Sequence, residues 1–193
     1  PDLIITTVPL KHNLNIPTVQ ITLFVNYEDE SKVFQTLNLL DKQRYHEDFV
    51  VLVNELIRPD LFHVKKQMAS SKEVIDFLCD ELISKNLADE RYKEDVFKRE
   101  SVSATSFVNG FAVPHSIEIT SKESCISIMI LDKPVKWGDF EVKLVLLLAI
   151  RDTDSHLLKI FFDWLSSIVS DSNKFRQLLE VKNYQEFIQH VIE

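Results

Sequence analysis

The residues best suited to chemistry lie between Arg99 and His115, in a stretch that ends with Gly110-Phe111-Ala112-Val113-Pro114-His115. A histidine held at a fixed position can act as a nucleophile, because its neutral imidazole is populated near pH 7. Many histidines instead only close a hydrogen bond in a surface loop. His115 is therefore a candidate nucleophile whose role depends on what surrounds it.

The residues before His115 predict how it is positioned. The chain has 2 glycines in 193 residues, so each one indicates a particular backbone demand. The β-prone stretch 106–113 is interrupted by Asn109-Gly110, a dipeptide that readily adopts positive φ in a tight turn. Pro114 disfavours a helical conformation at Val113 and cannot donate to a sheet, so the strand should stop there. We expect His115 to stand just past a strand end.

Five spaced segments carry a wider pattern: Arg99-Glu100 with Thr105, Asn109 to His115, Lys133 to Trp137, Val142 to Ile150, and Ser155 to Leu158. This pattern resembles the fructose/mannitol-type enzyme IIA domains of the bacterial sugar phosphotransferase system. The separation 115 − 99 = 16 agrees with the family's. The resemblance covers roughly residues 68 to 193. The chain departs from the family at three positions where glycine is common: Ser103, Val108 and Ser116.

The resemblance implies a role for each candidate residue. His115 would be the nucleophile that carries the phosphoryl group, with Arg99 offsetting the added negative charge. His156, at the start of a helix, would donate a hydrogen bond to a phosphoryl oxygen, and Thr105 is a weaker candidate for the same task. The partner would be the histidine-containing phosphocarrier protein, docked over an apolar patch to which Phe107 or Phe111 contributes. The family works without a metal or a cofactor, so none is expected.

Composition excludes several other functions. The net charge of −8 argues against nucleic-acid binding by this chain, because such modules usually carry a basic face. The longest apolar run, Leu144 to Ile150, is too short to cross a bilayer, and no signal segment opens the chain. We therefore expect a cytoplasmic protein that does not bind membranes. The two cysteines, Cys79 and Cys125, lack metal-site spacing and are expected to be buried thiols.

The chain is predicted to be α/β, with a mixed sheet flanked by helices, in three parts. Residues 1–40 are predicted to form a strand, a loop, a second strand over 18–25 and a helix, and they resemble the C-terminal half of an enzyme IIB domain. Residues 41–67 are predicted to be a helical connector whose helix ends at Pro59-Asp60. Residues 68–193 would form the enzyme IIA-like domain. We expect it to contain helices over 70–83, 89–98 and 154–169 and two further helices from 172 and 183, the last capped by Asn183 with Glu186 three residues on. Core strands are expected over 125–131 and 144–150, and the second, apolar throughout, should be covered on both faces.

Three functions stay open from the sequence. The first is a regulatory domain of an antiterminator or activator protein, in which phosphorylation of His115 reports sugar supply; dimerisation would then come through the parent protein. The second is the enzyme IIA end of a mannitol-type permease, which passes the phosphoryl group to enzyme IIB. The third is an interaction module that accepts no phosphate, suggested by the lost glycines at Ser103 and Val108.

Overall fold

The structure is a computed structural model that describes residues 2–12, 14–118 and 121–192. The chain divides into two compact units, residues 1–48 and 49–193. The helices are α1 Tyr27–Leu56, α2 Ser71–Ser84, α3 Tyr92–Val102, α4 His156–Ser170, α5 Ser172–Glu180 and α6 Tyr184–Ile192. The strands are β1 Ile4–Thr6, β2 Thr18–Gln20, β3 Ile57–Lys66, β4 Ser106–Phe107, β5 Phe111–Ala112, β6 Cys125–Trp137 and β7 Phe140–Ala149. Of the described helices, none is long and apolar enough to cross a membrane.

The first unit contains a short parallel strand pair and most of α1. β1 and β2 pair through Ile4 with Thr18 and Ile5 with Val19. The predicted order of strand, strand and helix is confirmed, but the predicted second strand over 18–25 is wrong beyond residue 20. Leu23 and Phe24, expected to be strand residues, are 82% and 89% exposed, so that segment has no sheet partner to bury it.

The second unit is built on a five-stranded mixed sheet in the order β3-β6-β7-β5-β4. β6 and β7 form a long antiparallel hairpin, which extends the predicted core strands at the end nearest the turn. β5 pairs in parallel with β7, and β4 pairs antiparallel with β5. The predicted strand, turn and strand over 106–113 is therefore confirmed. Because β5 pairs with β7, the chain that leaves β5 continues along β7 and reaches His115 beside Leu148.

β3 corrects the predicted helical connector. α1 ends at Leu56, close to the expected stop, but residues 57–66 then form an edge strand that pairs in parallel with β6. Pro59 lacks an N–H and lies where the register shifts between Ile57 and Phe62, which is where an edge strand tolerates proline. The predicted helical connector is wrong over 57–66, because a proline can lie in an edge strand as well as mark the end of a helix.

The sheet has an apolar core on each face, because side chains alternate along β6 and β7. Ile126, Ile128, Leu144 and Leu146 belong to the core that includes the C-terminal helices α4 to α6. Met129, Val145 and Leu147 belong to the core that includes α2 and α3. The prediction that this fold is a mixed sheet flanked by helices is confirmed. Both cysteines are buried in the second core, and burial raises the pKa of each thiol to about 12.

The helices differ little from the predicted ranges, with one shift of consequence. The helix expected over 89–98 is α3, Tyr92–Val102, so Arg99 lies inside its last turn and not after its end. α6 begins after Asn183, whose side-chain oxygen accepts a hydrogen bond from the backbone N–H of Glu186 at 2.9 Å, as its capping pattern predicted.

We predict that Gly138→Ala strongly destabilises the second unit. Gly138 forms the turn between β6 and β7 with φ +58°, and an added Cβ would lie 2.6 Å from the Cβ of Ala104. The unfavourable φ and the clash together should lower the free energy of unfolding by at least ~2 kcal/mol in urea denaturation. The double variant Ala104→Gly/Gly138→Ala removes the clashing atom and should recover part of that loss. No recovery would show that the contact with Ala104 is not the cause.

Candidate functional site

The position of His115 is fixed by backbone hydrogen bonds of the two residues before it, one to Thr105 and one to Leu148. The N–H of Val113 donates to the carbonyl of Thr105 at 3.1 Å, and the N–H of Leu148 donates to the carbonyl of Pro114 at 2.9 Å. His115 itself forms a single parallel bridge with Leu148 of β7. The backbone therefore holds His115 just past the end of β5, as the sequence predicted.

The two ring nitrogens of His115 have different partners. Nδ1 lies 2.9 Å from the carbonyl oxygen of Val113, and Nε2 lies 3.2 Å from Nε of Arg99. A carbonyl oxygen can only accept, so this contact assigns the imidazole hydrogen to Nδ1. The guanidinium N–H can only donate, so Nε2 carries the lone pair. Nε2 is therefore the ring nitrogen of this half-buried side chain whose lone pair faces Arg99.

Arg99 brings a positive charge to that lone pair. Its Nη1 donates to the carbonyl of Ser103 at 3.0 Å, which holds the guanidinium beside the ring. Among the described residues, no ion pair joins Arg99 to a carboxylate. Its charge is thus available to an anion bound at Nε2 of His115.

Both carboxylate oxygens of Glu100 accept hydrogen bonds, and the donors are Thr105 and Trp137, not Arg99. Its Oε1 accepts from the backbone N–H of Thr105 at 2.9 Å and from Nε1 of Trp137 at 2.7 Å. Its Oε2 accepts from the Thr105 hydroxyl at 2.6 Å. No role for Glu100 is predicted from the sequence, although it lies four residues after the buried Val96 on the same helix face. That spacing was the signal available in the sequence.

The Thr105 hydroxyl, expected as a weaker candidate to bind a phosphoryl oxygen, donates its hydrogen bond to Glu100. The residue is 5% exposed. The structure therefore places Thr105 in the contact between α3 and β4, with its donor already in use.

His156 is the first residue of α4, as expected from the sequence, and its side chain is exposed. Within 2–12, 14–118 and 121–192, no hydrogen bond to its ring is found. It is also absent from the residues that line the cavity beside His115, whereas its neighbour Ser155 lines it. The structure places Arg99 against the ring of His115, whereas His156 neither makes a hydrogen bond to that ring in the described part of the chain nor lines the cavity beside it.

A cavity of about 240 Å³ opens beside His115. Its apolar lining includes Leu148, Ile150, Leu158 and Phe162. Arg151 and Ser155 line it as well, with Arg151 paired to Asp154 at 2.8 Å. A mainly apolar recess with a few polar groups suits the side chains of a docked protein.

Phe107 and Phe111, expected as candidates for an apolar docking patch, differ in exposure. Phe107 is 47% exposed and stacks on Phe111 with ring centroids 4.6 Å apart, while Phe111 is only 5% exposed. Of the two, only Phe107 offers apolar surface to a partner.

In the part of the chain that the structure describes, no cluster of three or more His, Cys, Asp or Glu residues could hold a metal ion.

The fold of the second unit is that of mannitol-type enzyme IIA. The crystal structure of the mannitol enzyme IIA from Escherichia coli matches with a TM-score of 0.60 at 17% identity, over 68% of this chain and 96% of that one. A structure of the Escherichia coli complex between this enzyme IIA and phosphorylated enzyme IIB matches with a TM-score of 0.61 at 16% identity, over 70% and 98%. Residues 55–193 match the family "Phosphoenolpyruvate-dependent sugar phosphotransferase system, EIIA 2", and the chain belongs to this family.

Curated relatives include two regulators and one enzyme IIA. The "Probable licABCH operon regulator" of Bacillus subtilis is 28% identical over 185 residues, 96% of this chain and 28% of the regulator. "Transcriptional regulator ManR" of the same organism is 26% identical over 190 residues, 98% of this chain and 29% of the regulator. The mannitol-specific enzyme IIA component of Halalkalibacterium halodurans is 29% identical over 139 residues, 69% of this chain and 92% of that protein. The chain thus spans less than a third of either regulator.

We predict that neutral His115 carries its hydrogen on Nδ1. Long-range ¹⁵N–¹H spectra of histidine-labelled protein, recorded at a pH where the ring is neutral, should show a protonated Nδ1 and an unprotonated Nε2. Arg99→Ala should shift the Nε2 resonance because it removes a hydrogen-bond donor. His46→Ala, at an exposed residue of the first unit, should leave both signals unchanged. A hydrogen on Nε2 would contradict the assignment.

Proposed function

We propose that the chain accepts a phosphoryl group on Nε2 of His115 from the histidine-containing phosphocarrier protein. The observation that supports this most is the ring geometry: Nδ1 is bonded to the Val113 carbonyl, and Nε2 faces an arginine that has no carboxylate partner among the described residues. A phosphoryl acceptor needs a positioned lone pair and a nearby positive charge, and little covalent help.

The transfer would proceed by in-line displacement. Arg99 first releases Nε2, because its Nε–H donates to the lone pair in the unphosphorylated state. The Nε2 lone pair then bonds to phosphorus as the bond between phosphorus and the donor's histidine nitrogen breaks, and that nitrogen keeps the electron pair. The hydrogen on Nδ1 remains in place, and the Val113 carbonyl stabilises the positive charge that the ring gains. Arg99 then donates to the phosphoryl oxygens.

The surface near His115 suits a protein donor better than a small sugar. Two apolar side chains beside His115 are exposed: Ile117, in the loop after it, by 54%, and Phe162, on α4, by 45%. Ile117 and Phe162 line the cavity that His115 also lines. Desolvating these groups would favour docking of an apolar partner surface over the nucleophile.

We further propose that the parent protein is a transcriptional regulator and that phosphorylation of His115 controls it. Both regulators align over nearly the whole chain, at 96% and 98%, whereas the mannitol enzyme IIA aligns over 69%. Most of residues 1–54, which lie outside the family match, therefore have counterparts in regulators. The origin of residues 1–40 in an enzyme IIB-like domain and dimerisation through the parent protein are parts of the same proposal.

The permease alternative predicts a different fate for the phosphoryl group. One structural neighbour is an enzyme IIA in complex with phosphorylated enzyme IIB, which gives this alternative its support. The two are separated by adding a mannitol-type enzyme IIB to the phosphorylated chain and following the label. Retention of the label on this chain supports the regulator, and rapid transfer to the enzyme IIB cysteine supports the permease.

We predict that His115→Ala abolishes phosphorylation and leaves the fold intact. The wild-type chain, incubated with phosphoenolpyruvate, enzyme I and the phosphocarrier protein, should gain one phosphoryl group by intact mass. Arg99→Ala should slow the transfer roughly 10²- to 10³-fold, the usual cost of losing one donor to a developing negative charge. Circular dichroism should show the same helix and strand content for all three proteins.

His46→Ala is the matched control for loss of a histidine and should be phosphorylated as the wild type. His156→Ala tests the donor role that the resemblance suggests, and we expect it to slow the transfer less than Arg99→Ala because its ring does not line the cavity. Label that persists in His115→Ala would show that the carrier residue is another one. A wild-type chain that gains no mass would instead favour the module that accepts no phosphate.

A further inference from the structure

The inward face of α3 ends in a carboxylate. Tyr92, Val96 and Glu100 follow one another at a spacing of four residues and so lie along one face of the helix. Tyr92 and Val96 are fully buried in the core that contains α2 and α3. Glu100 occupies the next position of that row, one residue after Arg99. The helix therefore directs a polar side chain toward the sheet in the turn that carries the arginine.

The other side-chain hydrogen bonds in the last turn of α3 stay within the helix and its C-cap: the Ser101 hydroxyl donates to the Lys98 carbonyl at 2.7 Å, and Nη1 of Arg99 donates to the Ser103 carbonyl at 3.0 Å. The side chain of Arg91 makes no capping hydrogen bond at the start of the helix. At the other end, Ser103 is the C-cap in an extended conformation, and Val102 is 76% exposed. Helix ends without caps fray, because their backbone groups lack intrahelical partners. Glu100 is thus the residue that attaches this turn to the sheet.

The three hydrogen bonds of Glu100 reach two separate strands. Thr105 lies immediately before β4, and Trp137, which is 1% exposed, is the last residue of β6. The Thr105 carbonyl in turn accepts from the N–H of Val113, whose own carbonyl holds Nδ1 of His115. A continuous set of contacts therefore joins the turn that carries Arg99 to the loop that carries His115.

We propose that Glu100 is a positioning residue that fixes the guanidinium of Arg99 relative to Nε2 of His115. It does not touch the ring, and it acts by holding the helix turn. It also leaves the charge of Arg99 available, because its oxygens are occupied by Thr105 and Trp137. This inference rests on the proposed acceptance of a phosphoryl group by His115.

One conservative variant distinguishes two ways in which Glu100 could act: by positioning Arg99, or through its own negative charge. Glutamine at this position keeps a carbonyl oxygen for the Thr105 N–H and the Trp137 indole, and its amide can donate to the Thr105 hydroxyl. Glu100→Gln should therefore retain the position of Arg99 without the negative charge. Glu100→Ala removes all three contacts. The matched control is Glu94→Ala, which removes an exposed carboxylate from the first turn of the same helix.

The test follows two readouts in the full chain. The first is the phosphorylation rate with the phosphocarrier protein, and the second is the pair of NMR signals from the Arg99 Nε–H and His115 Nε2. Glu100→Ala should slow phosphorylation on the order of 10²-fold, as misplacement of a reacting group by about 1 Å does. It should also shift His115 Nε2 in the same direction as Arg99→Ala. Glu100→Gln should restore both readouts, and Glu94→Ala should match the wild type.

Thr105→Val provides a milder variant if Glu100→Ala folds poorly. It removes only the hydroxyl contact, and a smaller loss in the same direction would support the proposal. Normal rates per folded molecule and unchanged NMR signals in both Glu100→Ala and Thr105→Val would overturn it, even if both proteins lost stability. A wild-type chain that is never phosphorylated would refute the proposed function, while the NMR signals would still show whether Glu100 positions Arg99.

Discussion

The site depends on the hydrogen bond between Nδ1 of His115 and the carbonyl of Val113. This 2.9 Å contact decides which nitrogen keeps the lone pair and which way the ring faces. Val113, whose carbonyl accepts this hydrogen bond, itself donates its N–H to the carbonyl of Thr105, the residue just before β4. Because donor and acceptor are only two residues apart, the orientation of the imidazole follows directly from the backbone path through Pro114.

The sheet positions His115, and α3 positions Arg99. The buried hydroxyl of Tyr92 donates to the Leu148 carbonyl at 2.7 Å, and the N–H of Leu148 donates to the Pro114 carbonyl. Burial raises the pKa of Tyr92 well above its usual value, so this hydroxyl stays a donor at physiological pH. α3 is therefore fixed to β7 at its first turn by Tyr92 and to β4 and β6 at its last turn by Glu100. Such preorganisation limits the rearrangement that the proposed transfer requires to the side chain of Arg99, which must release Nε2.

Local sequence signals predicted the elements nearest His115 well. Asn109-Gly110 between β-prone residues predicted the hairpin, and Gly110 adopts φ +86° there. The apolar run of β7 predicted a strand covered on both faces, which the two cores confirm. These features depend on neighbours in sequence, or on a composition that only a central strand requires.

The missed features depend on distant contacts. β3 is a strand because β6, about sixty residues later, offers it a parallel partner, and Pro59 alone pointed to the end of a helix. The importance of Glu100 required knowing that Trp137 and Thr105 meet at one carboxylate. The predicted position of His156 at a helix start is confirmed by α4, but no local sequence signal shows which way its ring faces.

The most direct test of the account is the position of the phosphoryl group on the imidazole. Protein labelled with ¹⁵N-histidine would be phosphorylated by the phosphocarrier protein and examined for one-bond ¹⁵N–³¹P coupling, with His115→Ala identifying the residue. The account predicts a coupling to Nε2 of His115 while Nδ1 keeps its hydrogen and its bond to Val113. A coupling to Nδ1, or a phosphoryl group on another residue, would contradict it.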